Sequence, residues 1–380
     1  MEKYKILETI GDGTYGTVYK GVKNDTNEFV AIKKMKKKYS DWEECKSLKE
    51  VIALRTLKHS NIVTLNELIL EKNELIMVFE FIGVNLFEYI KNLEEIPEYK
   101  IRNIAFQALQ GLAYMHKNNF FHRDIKPENI LISGDQVKLA DFGLAKEIKT
   151  EPPFTDYVAT RWYRAPEVIL NSKTYSSPID IFALGAIIAE LYLNEPLFPG
   201  KSANLQMNKI CEILGTPNQN DWPEGYALAK EINYKFPQFR GKKLKNVIKN
   251  ASDSAINLLE LMLNFNPSKR PSAVKCLQHP FFQCYEVLRF YGIKFNTKED
   301  NNSDDKKENI NVNNNMNNFA MSMNNPSNQM INNEQFQGDM NDSFGNNDNK
   351  NQTTFKNGNK FEEFLTNNLN FKYIFNNSHI

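Results

Sequence analysis

The stretch His122-Arg-Asp-Ile-Lys-Pro-Glu-Asn129 decides how this chain is interpreted, because it spaces three polar side chains for one reaction. Asp124 is the candidate base that orients a substrate hydroxyl and accepts its proton. Lys126 can neutralise charge on a transferred phosphate, and Asn129 offers an oxygen ligand to a magnesium ion. The stretch therefore predicts the transfer of a phosphoryl group to a hydroxyl.

A second acidic motif, Asp141-Phe-Gly143, begins twelve residues after Asn129 and follows a strand-like run at 137–140. An isolated Asp is usually a helix cap or a turn residue. The order and spacing of all the motifs favour Asp141 as the second metal ligand. Two hard oxygen ligands suit Mg²⁺, which keeps its other coordination positions for water and phosphate.

Upstream, the run Gly11-Asp-Gly-Thr-Tyr-Gly-Thr-Val18 places Gly11, Gly13, Gly16 and Val18 in a G-x-G-x-x-G-x-V pattern. Glycine lets backbone N–H groups approach a phosphate closely. The same glycine spacing occurs in dinucleotide-binding folds, where a helix follows the last glycine. Here the chain continues as a strand, which favours a hairpin covering the phosphates of a nucleotide.

The segment Val30-Ala-Ile-Lys33 would carry Lys33 beneath this glycine loop. An ammonium there can bind the α- and β-phosphates of ATP, provided that an acid holds the flexible side chain. Glu50, seventeen residues later in a predicted helix at 42–57, is the best candidate for that acid. Glu43 and Glu44 lie nearer the helix start, where they complement its dipole. The remaining lysines of 34–38 are interpreted as a solvated edge rather than a nucleic-acid site.

The apolar pattern divides the chain into a packed part and a polar tail. Residues 4–82 predict a β-rich lobe with strands at 4–11, 16–22, 28–34, 64–70 and 74–81. Residues 83–286 predict a mainly helical lobe with long helices at 98–118, 178–193 and 252–263. We therefore expect an α+β fold of two lobes with a cleft between them.

The tail, residues 295–380, is rich in Asn, which supplies 26 of the last 80 residues. Such a segment buries too little apolar surface to offset its ordering entropy, so we expect it to be mostly disordered. One stretch, 361–371, has helical spacing of its apolar residues. It is either a short docking helix or a remnant of apolar residues in a biased tail.

Residues 4–286 resemble a eukaryotic protein kinase domain of the CMGC group, which holds the cyclin-dependent and mitogen-activated kinases. The motifs above carry this resemblance, together with Thr160-Arg-Trp-Tyr-Arg-Ala-Pro-Glu167. A closer resemblance is to the ciliary male-germ-cell-associated and intestinal-cell kinases. It is carried by the following stretches: Tyr39-Ser-Asp-Trp-Glu-Glu-Cys45, Phe120-Phe-His-Arg-Asp124, Pro152-Pro-Phe-Thr-Asp-Tyr157, Tyr175-Ser-Ser-Pro-Ile-Asp180 and Leu214-Gly-Thr-Pro-Asn-Gln-Asn-Asp-Trp-Pro-Glu-Gly-Tyr226.

The resemblance implies an ATP site with Mg²⁺ as the metal cofactor. The residues it implies around adenine are Ile10, Val18, Ala31 and Leu131, with Phe79 as gatekeeper and hydrogen bonds from the hinge backbone at Glu80 and Phe81. Lys126 together with Thr160 implies transfer to serine or threonine. The segment ending at Glu167 implies substrates with proline after the phosphorylated residue, and an ion pair of Glu167 with Arg270.

The resemblance also implies activation by phosphorylation of Thr155 and Tyr157, which lie between the Asp141 and Glu167 motifs. Phosphorylation adds about −1.5 to −2 charges, which arginines can pair with to order a loop. The expected partners are Arg161 and Arg164 for Tyr157, and Arg123 for Thr155. Tyr157 would be phosphorylated by the chain itself and Thr155 by an upstream kinase.

Lys49 and Lys146 stand where related kinases often have two further arginines for the phosphothreonine. Lysine lacks the bidentate fork of arginine, so this clamp should be looser. We therefore expect activity to depend less on Thr155 than on Tyr157. Thr14 and Tyr15 of the glycine loop are interpreted as loop residues rather than inhibitory phosphorylation sites.

Composition and charge limit the kinds of partner that the chain can have. A formal net charge of +1 argues against general attraction to nucleic acid, and the longest apolar run, 182–193, is too short to span a bilayer. We expect a monomer that acts on protein substrates with Ser-Pro or Thr-Pro sites. The helix before Glu50 does not resemble the cyclin-contacting sequence, so no obligatory cyclin is expected.

By composition the chain is expected in the cytoplasm or nucleus, and by resemblance in a cilium or flagellum. A different class of function stays open, a kinase-fold scaffold without significant catalysis. It is disfavoured because Lys33, Glu50, Asp124, Asn129 and Asp141 are all present.

Overall fold

The computed structural model describes residues 1–13, 15–147 and 161–283. The calls on Thr14, Thr155, Tyr157, Thr160 and the tail from 295 onward therefore lie outside the described residues. The described part begins with a β-sheet and continues mainly as helices, as the sequence predicts.

The N-terminal region is one antiparallel sheet of five strands in the order β1-β2-β3-β5-β4. Its strands are β1 Tyr4–Asp12, β2 Gly16–Lys23, β3 Phe29–Lys38, β4 Leu65–Glu71 and β5 Glu74–Glu80. Strand β3 lies in the centre, and its alternating residues Val30 and Ile32 pack in a small core with Ile76 and Val78. This places Lys33, the next residue, on the opposite face of the sheet from Ile32.

Two helices follow β3, α1 Trp42–Lys46 and α2 Lys49–Thr56, where the sequence predicted one helix at 42–57. The prediction of a single helix is wrong because Leu48 adopts an extended conformation with ψ of 132°. The Ser47 hydroxyl donates to the carbonyl oxygen of Glu44 at 2.7 Å, which satisfies the end of α1 locally. The break lets α2 begin afresh at Lys49, with Glu50 in its first turn.

Five short strands and nine helices make up the rest of the described chain. The strands are β6 Val84–Asn85, β7 Phe120–Phe121, β8 Ile130–Ser133, β9 Gln136–Leu139 and β10 Lys146–Glu147. The helices are α3 Leu86–Lys91, α4 Glu98–Lys117, α5 Pro166–Ile169, α6 Pro178–Leu193, α7 Ala203–Leu214, α8 Pro223–Glu231, α9 Leu244–Val247, α10 Asp253–Met262 and α11 Ala273–Leu277.

Helix α6 forms the centre of the helical lobe and is buried along almost its whole length, as its near-continuous apolar sequence predicts. Gly185 allows close packing here, since a Cβ on it would lie 3.0 Å from the Cβ of Met262 in α10. None of the described helices is both long enough and apolar enough to cross a membrane.

The expected ion pair between Glu167 and Arg270 is present and buried. Arg270 Nη1 and Nη2 each lie 2.7 Å from an oxygen of Glu167, and further guanidinium bonds reach the carbonyls of Asn264, Phe265 and Pro178. A planar fork that satisfies both carboxylate oxygens offsets the desolvation of the pair. The contact fixes α5 against the segment before α11.

Candidate active site

Lys33 and Glu50 form a buried ion pair between strand β3 and helix α2. Lys33 Nζ lies 2.7 Å and 3.0 Å from the two oxygens of Glu50, and 3.3 Å from Oδ1 of Asp141. Burial alone would lower the pKa of Lys33, but the two carboxylates outweigh it, so its pKa is raised. The ammonium therefore stays charged throughout the physiological range.

The sheet register sets the position of Lys33 under the glycine loop. Lys33 stands opposite Val18 of β2 on one side and Met77 of β5 on the other. At the end of β1 the Gly13 N–H donates to the carbonyl of Gly16, the first residue of β2, at 3.0 Å. A Cβ at Gly16 would lie 2.5 Å from the carbonyl oxygen of Lys34, so this position requires glycine.

Asp124 lies in the loop between β7 and β8, with its side chain held from two sides. Its Oδ2 accepts a hydrogen bond from Asn129 Nδ2 at 3.0 Å and an ion pair from Lys126 Nζ at 2.9 Å. Asn129 Nδ2 also donates to the backbone carbonyl of Asp124 at 2.8 Å. The Asn129 amide is thus oriented by its nitrogen, which leaves its oxygen as the ligand atom.

Asp180, in the first turn of α6, accepts hydrogen bonds from the loop that carries Asp124 and holds it in place. Its Oδ1 accepts from the backbone N–H of Arg123 at 2.9 Å, and its Oδ2 from that of His122 at 2.8 Å. His116 Nε2 also lies 2.9 Å from Oδ2. Arg123 has φ of 72°, a left-handed conformation that is unfavourable for a non-glycine residue, so these bonds hold a strained backbone. The sequence analysis did not assign this role to Asp180.

Asp141 also has a left-handed backbone, with φ of 60°. Burial would raise the pKa of its carboxyl, but the ammonium of Lys33 more than offsets this, so the pKa is lowered and the group is ionised. The preceding residue, Ala140, donates its N–H to the carbonyl of Asn129 at 2.9 Å and accepts from His122 Nε2 at 3.0 Å. The first of these bonds ties the residue before Asp141 to Asn129, so the two predicted metal ligands lie on neighbouring segments of the chain.

One carboxylate and one amide oxygen fit Mg²⁺, which is usually bound by one or two protein groups together with phosphate and water. Within the described residues, no group of three or more His, Cys, Asp and Glu side chains forms a ready-made metal cage. The donor set of Asn129 and Asp141 is therefore of the kind that shares a metal with a nucleotide.

The predicted adenine-contacting residues come from both lobes. Val18, Ala31 and Leu131 are half-buried, Ile10 is exposed at the end of β1, and Phe79 is buried opposite Ala31 in the β3–β5 register. Their contact with adenine stays a prediction.

The hinge residues show contacts that the sequence analysis missed. The backbone N–H of Glu80 donates to the carbonyl of Thr64 at 3.1 Å, so that N–H is already engaged. The Glu80 side chain pairs with Lys138 of β9 at 2.7 Å. The Phe81 ring lies 6.1 Å from that of Phe29, on the outside of the sheet.

The sequence matches the family description "Protein kinase domain" over residues 4–282. The chain belongs to the protein kinase family.

Within this family the chain is similar to several curated kinases. It is 52% identical over 79% of its length to the mouse "Serine/threonine-protein kinase MAK", covering 48% of that relative. It is 53% identical over 74% of its length to the mouse "Serine/threonine-protein kinase ICK", covering 45% of it. It is 50% identical over 74% of its length to the rice "Cyclin-dependent kinase F-3", covering 65% of it. The chain thus spans about half the length of the two mouse relatives.

A basic cluster lies beside the kinase's catalytic loop. The pKa of Lys146 is lowered by burial and by the positive charges of Lys49 and Arg123, which places these three cations close together. Arg123 Nη2 donates to the Tyr175 hydroxyl at 2.6 Å. The cluster contains the residues expected to receive a phosphate at Thr155, which itself lies outside the described residues. Arg161 and Arg164, the expected partners of Tyr157, lie in and just after a 3₁₀ turn at 161–163.

The structure also reveals an acidic pair that the sequence did not indicate. Glu128 follows the catalytic base by four residues, and Glu190 lies in α6. Oε2 of each is buried, and neither has a hydrogen-bond partner among the described residues. Burial and the negative charge of Glu128 raise the pKa of Glu190 to about 7, although the hydroxyl of Tyr163 lowers it by a hydrogen bond. The signal in the sequence was Glu190 itself, a single acid within an apolar run.

Proposed function

We propose that the protein is a serine/threonine kinase that transfers the γ-phosphate of ATP to protein substrates. The observation that carries the proposal is the ion-paired Lys33, held by Glu50 at 2.7 Å and directed at Asp141 at 3.3 Å. A kinase-fold scaffold has no need to keep a charged lysine buried and fixed between two carboxylates. The names of the relatives, which are serine/threonine kinases, support the same assignment.

The chemistry follows from the positions of the charges. Phosphoryl transfer depends on in-line alignment and on neutralising the phosphate oxygens rather than on covalent chemistry by the protein. Lys33 offers its ammonium to the α- and β-phosphates. Asp124, with Oδ2 already held by Lys126 and Asn129, orients the attacking hydroxyl and takes its proton. Lys126 then lies next to the transferred phosphate.

Asn129 and Asp141 would hold Mg²⁺, which supplies positive charge to the phosphate oxygens when it is bound. The lowered pKa of Asp141 keeps this ligand in its anionic form. Asp180 keeps the loop of Asp124 in its strained conformation.

The decisive experiment mixes the purified full chain with Mg-ATP and a Ser-Pro peptide and measures phosphopeptide formation. Asp141→Asn removes the charged ligand and should abolish activity, whereas Asp135→Asn, the same change at an exposed turn residue, should leave it unchanged. An Asp141→Asn variant as active as its parent refutes the proposal. A fully inactive parent, treated with an activating kinase, would favour the scaffold function instead.

We further propose that the kinase is proline-directed, is activated by phosphorylation of Thr155 and Tyr157, and needs no cyclin. The basic cluster of Arg123, Lys49 and Lys146 supports a phosphate acceptor beside the catalytic loop. A Ser-Pro peptide should outperform its Ser-Ala counterpart. Thr155→Ala should lose less activity than Tyr157→Phe, and equal or reversed losses contradict the looser lysine clamp.

For location we propose the cytoplasm, with a cilium or flagellum as the site of action and the nucleus as the alternative. The similarity to the two mouse kinases supports this proposal only through family resemblance. Imaging a tagged copy with and without residues 295–380 tests it, because loss of localisation on truncation would assign the targeting to the tail. Uniform distribution of the full chain, with no ciliary signal in a ciliated cell, contradicts it.

A further inference from the structure

A partly buried ion pair joins the hinge to the strand that leads to Asp141. Glu80 is the last residue of β5, and residues 81–83 connect it to β6 in the helical lobe. Its Oε1 accepts from Lys138 Nζ at 2.7 Å. The Lys138 side chain is only 7% exposed, so its ammonium is largely removed from water and Glu80 is the carboxylate that it contacts.

The same oxygen of Glu80 has a second donor. The backbone N–H of Thr64, just before β4, donates to Oε1 at 2.7 Å, and the Glu80 N–H returns a bond to the Thr64 carbonyl at 3.1 Å. One carboxylate oxygen therefore holds β4, β5 and β9 together. This contact lies outside the set of groups that the proposed reaction uses.

Lys138 occupies a position from which it can influence nucleotide binding. In the β8–β9 register it stands opposite Leu131, a predicted adenine contact, and it precedes Asp141 by three residues. The neighbouring residue Leu139 is bonded on both sides to the N-terminal lobe, through the Asn61 carbonyl and the Val63 N–H, each at 2.9 Å. Strand β9 is thus fixed to the segment that carries Thr64.

The hinge has little other freedom on this side. Gly83 packs so closely on the carbonyl of Ile132 in β8 that a Cβ there would overlap it. The Phe81 ring and the Lys20 ammonium, 5.2 Å from its centroid, cover the outer side. The orientation of the hinge peptides is therefore set by Glu80 at one end and Gly83 at the other.

We propose that Glu80 and Lys138 are positioning residues for nucleotide binding, which hold the hinge and the Leu131 strand in the geometry that receives adenine. The inference rests on the proposed ATP-dependent function. A hinge that is already held in its bound geometry loses less conformational freedom when the nucleotide binds. Releasing the pair should therefore weaken ATP binding without altering the groups that perform phosphoryl transfer.

The test compares Lys138→Met, Glu80→Gln and the double variant with the parent in steady-state kinetics. Each single change should raise the KM for ATP about tenfold, a loss of about 1.4 kcal/mol in binding. The kcat and the KM for the peptide should stay within about twofold, because Lys33, Asp124 and Asp141 are untouched. The double variant should be no worse than either single one, since both remove the same interaction.

Matched variants separate positioning from loss of structure. Lys138→Arg keeps the charge and should retain a KM near that of the parent. Lys242→Met removes an exposed ion pair with Glu212 at 2.9 Å and should change neither constant. Glu80→Gln keeps the shape of the side chain and an acceptor for the Thr64 N–H but leaves the Lys138 ammonium without its counter-charge, so urea unfolding of each variant is measured beside the kinetics.

The outcomes are distinguishable. A parent that stays inactive after treatment with an activating kinase overturns the proposed function, whereas an active parent with an unchanged KM for ATP in Glu80→Gln overturns only the positioning role. The positioning role is also overturned if kcat falls by as large a factor as the KM for ATP rises. The same holds if the effects of the two single changes add up in the double variant.

Discussion

Replacing Asp180 with Asn tests whether α6 holds the catalytic loop by charge-assisted hydrogen bonds. Asp180 is 1% exposed and accepts three bonds, two of them from the consecutive backbone N–H groups of His122 and Arg123. Asn has one oxygen, so its amide nitrogen must face one of these N–H groups. One buried donor then loses its acceptor, and the bond that remains is no longer charge-assisted.

The magnitude follows from these contacts. A hydrogen bond to a charged group contributes about 1.5–3 kcal/mol, and a buried donor left without an acceptor costs about 1–3 kcal/mol. We expect Asp180→Asn to lower the free energy of unfolding by about 3–5 kcal/mol. Because Asp124 follows the displaced peptides directly, a shift of about 1 Å should also lower kcat by about 10²-fold.

Equilibrium urea unfolding, followed by tryptophan fluorescence, and the peptide assay measure the two effects. Asp253→Asn is the matched control, since Asp253 also lies in the first turn of a helix but its side chain is 95% exposed in its pair with Lys245. It should leave the free energy of unfolding close to that of the parent, because the pair is exposed. If Asp180→Asn stays within 1 kcal/mol of the parent and keeps its kcat, the anchoring argument is wrong.

Four further substitutions, at three sites, probe other buried charges. Lys33→Met should reduce kcat/KM by about 10²–10³-fold and destabilise the fold, because it leaves the buried Glu50 unpaired. Adding Glu50→Gln should recover stability but not activity. Urea unfolding and steady-state kinetics measure the two effects. The pKa of Glu190 is raised from 4.5 to about 7 in the folded state, so the folded protein binds this proton more tightly than the unfolded chain does. The free energy of unfolding should therefore fall by roughly 3 kcal/mol as the pH rises from 4.5 to 7. Glu190→Gln should flatten that dependence in urea titrations from pH 4 to 8, and an unchanged slope would contradict the assignment. Arg270→Lys keeps the charge but loses the two-pronged contact with Glu167. The free energy of unfolding should therefore fall by about 2–4 kcal/mol, which is measured as a lower melting temperature.

The sequence was most informative where chemistry and spacing are local. Asp124, Lys126 and Asn129 are within six residues of one another, so the motif itself predicted that they act together, and the structure joins them within 3.0 Å. Strand and helix bounds followed from apolar periodicity, and α6 matches its predicted limits, 178–193. The catalytic roles of Asp124, Lys126 and Asn129 remain predictions until the variants are measured.

Other features depend on contacts that local patterns do not encode. The Glu80–Lys138 pair joins residues 58 positions apart, and nothing in either neighbourhood signals an ion pair. The break between α1 and α2 occurs where the Ser47 hydroxyl donates to the carbonyl of Glu44 and Leu48 becomes extended, whereas the helical period of the apolar residues continues across it. Periodicity reports which face is buried, but it does not report where a backbone is interrupted.

Two strained residues connect these observations. Leaving aside the asparagines and Lys72 in a hairpin turn, Arg123 and Asp141 are the non-glycine residues with positive φ within the described ranges. Each sits at a functional position and each is held by charge: the Arg123 N–H by Asp180, and the Asp141 carboxylate by Lys33. Such conformations are unfavourable by about 1–3 kcal/mol each and persist only where surrounding contacts enforce them. The ion pairs around the cleft therefore act on geometry as well as on substrate charge. Weakening either anchor would let the backbone relax and move a catalytic side chain, so stability and kcat should change together at Asp180. At Glu80, whose contacts join β4, β5 and β9 rather than the catalytic loop, the KM for ATP should change while kcat does not.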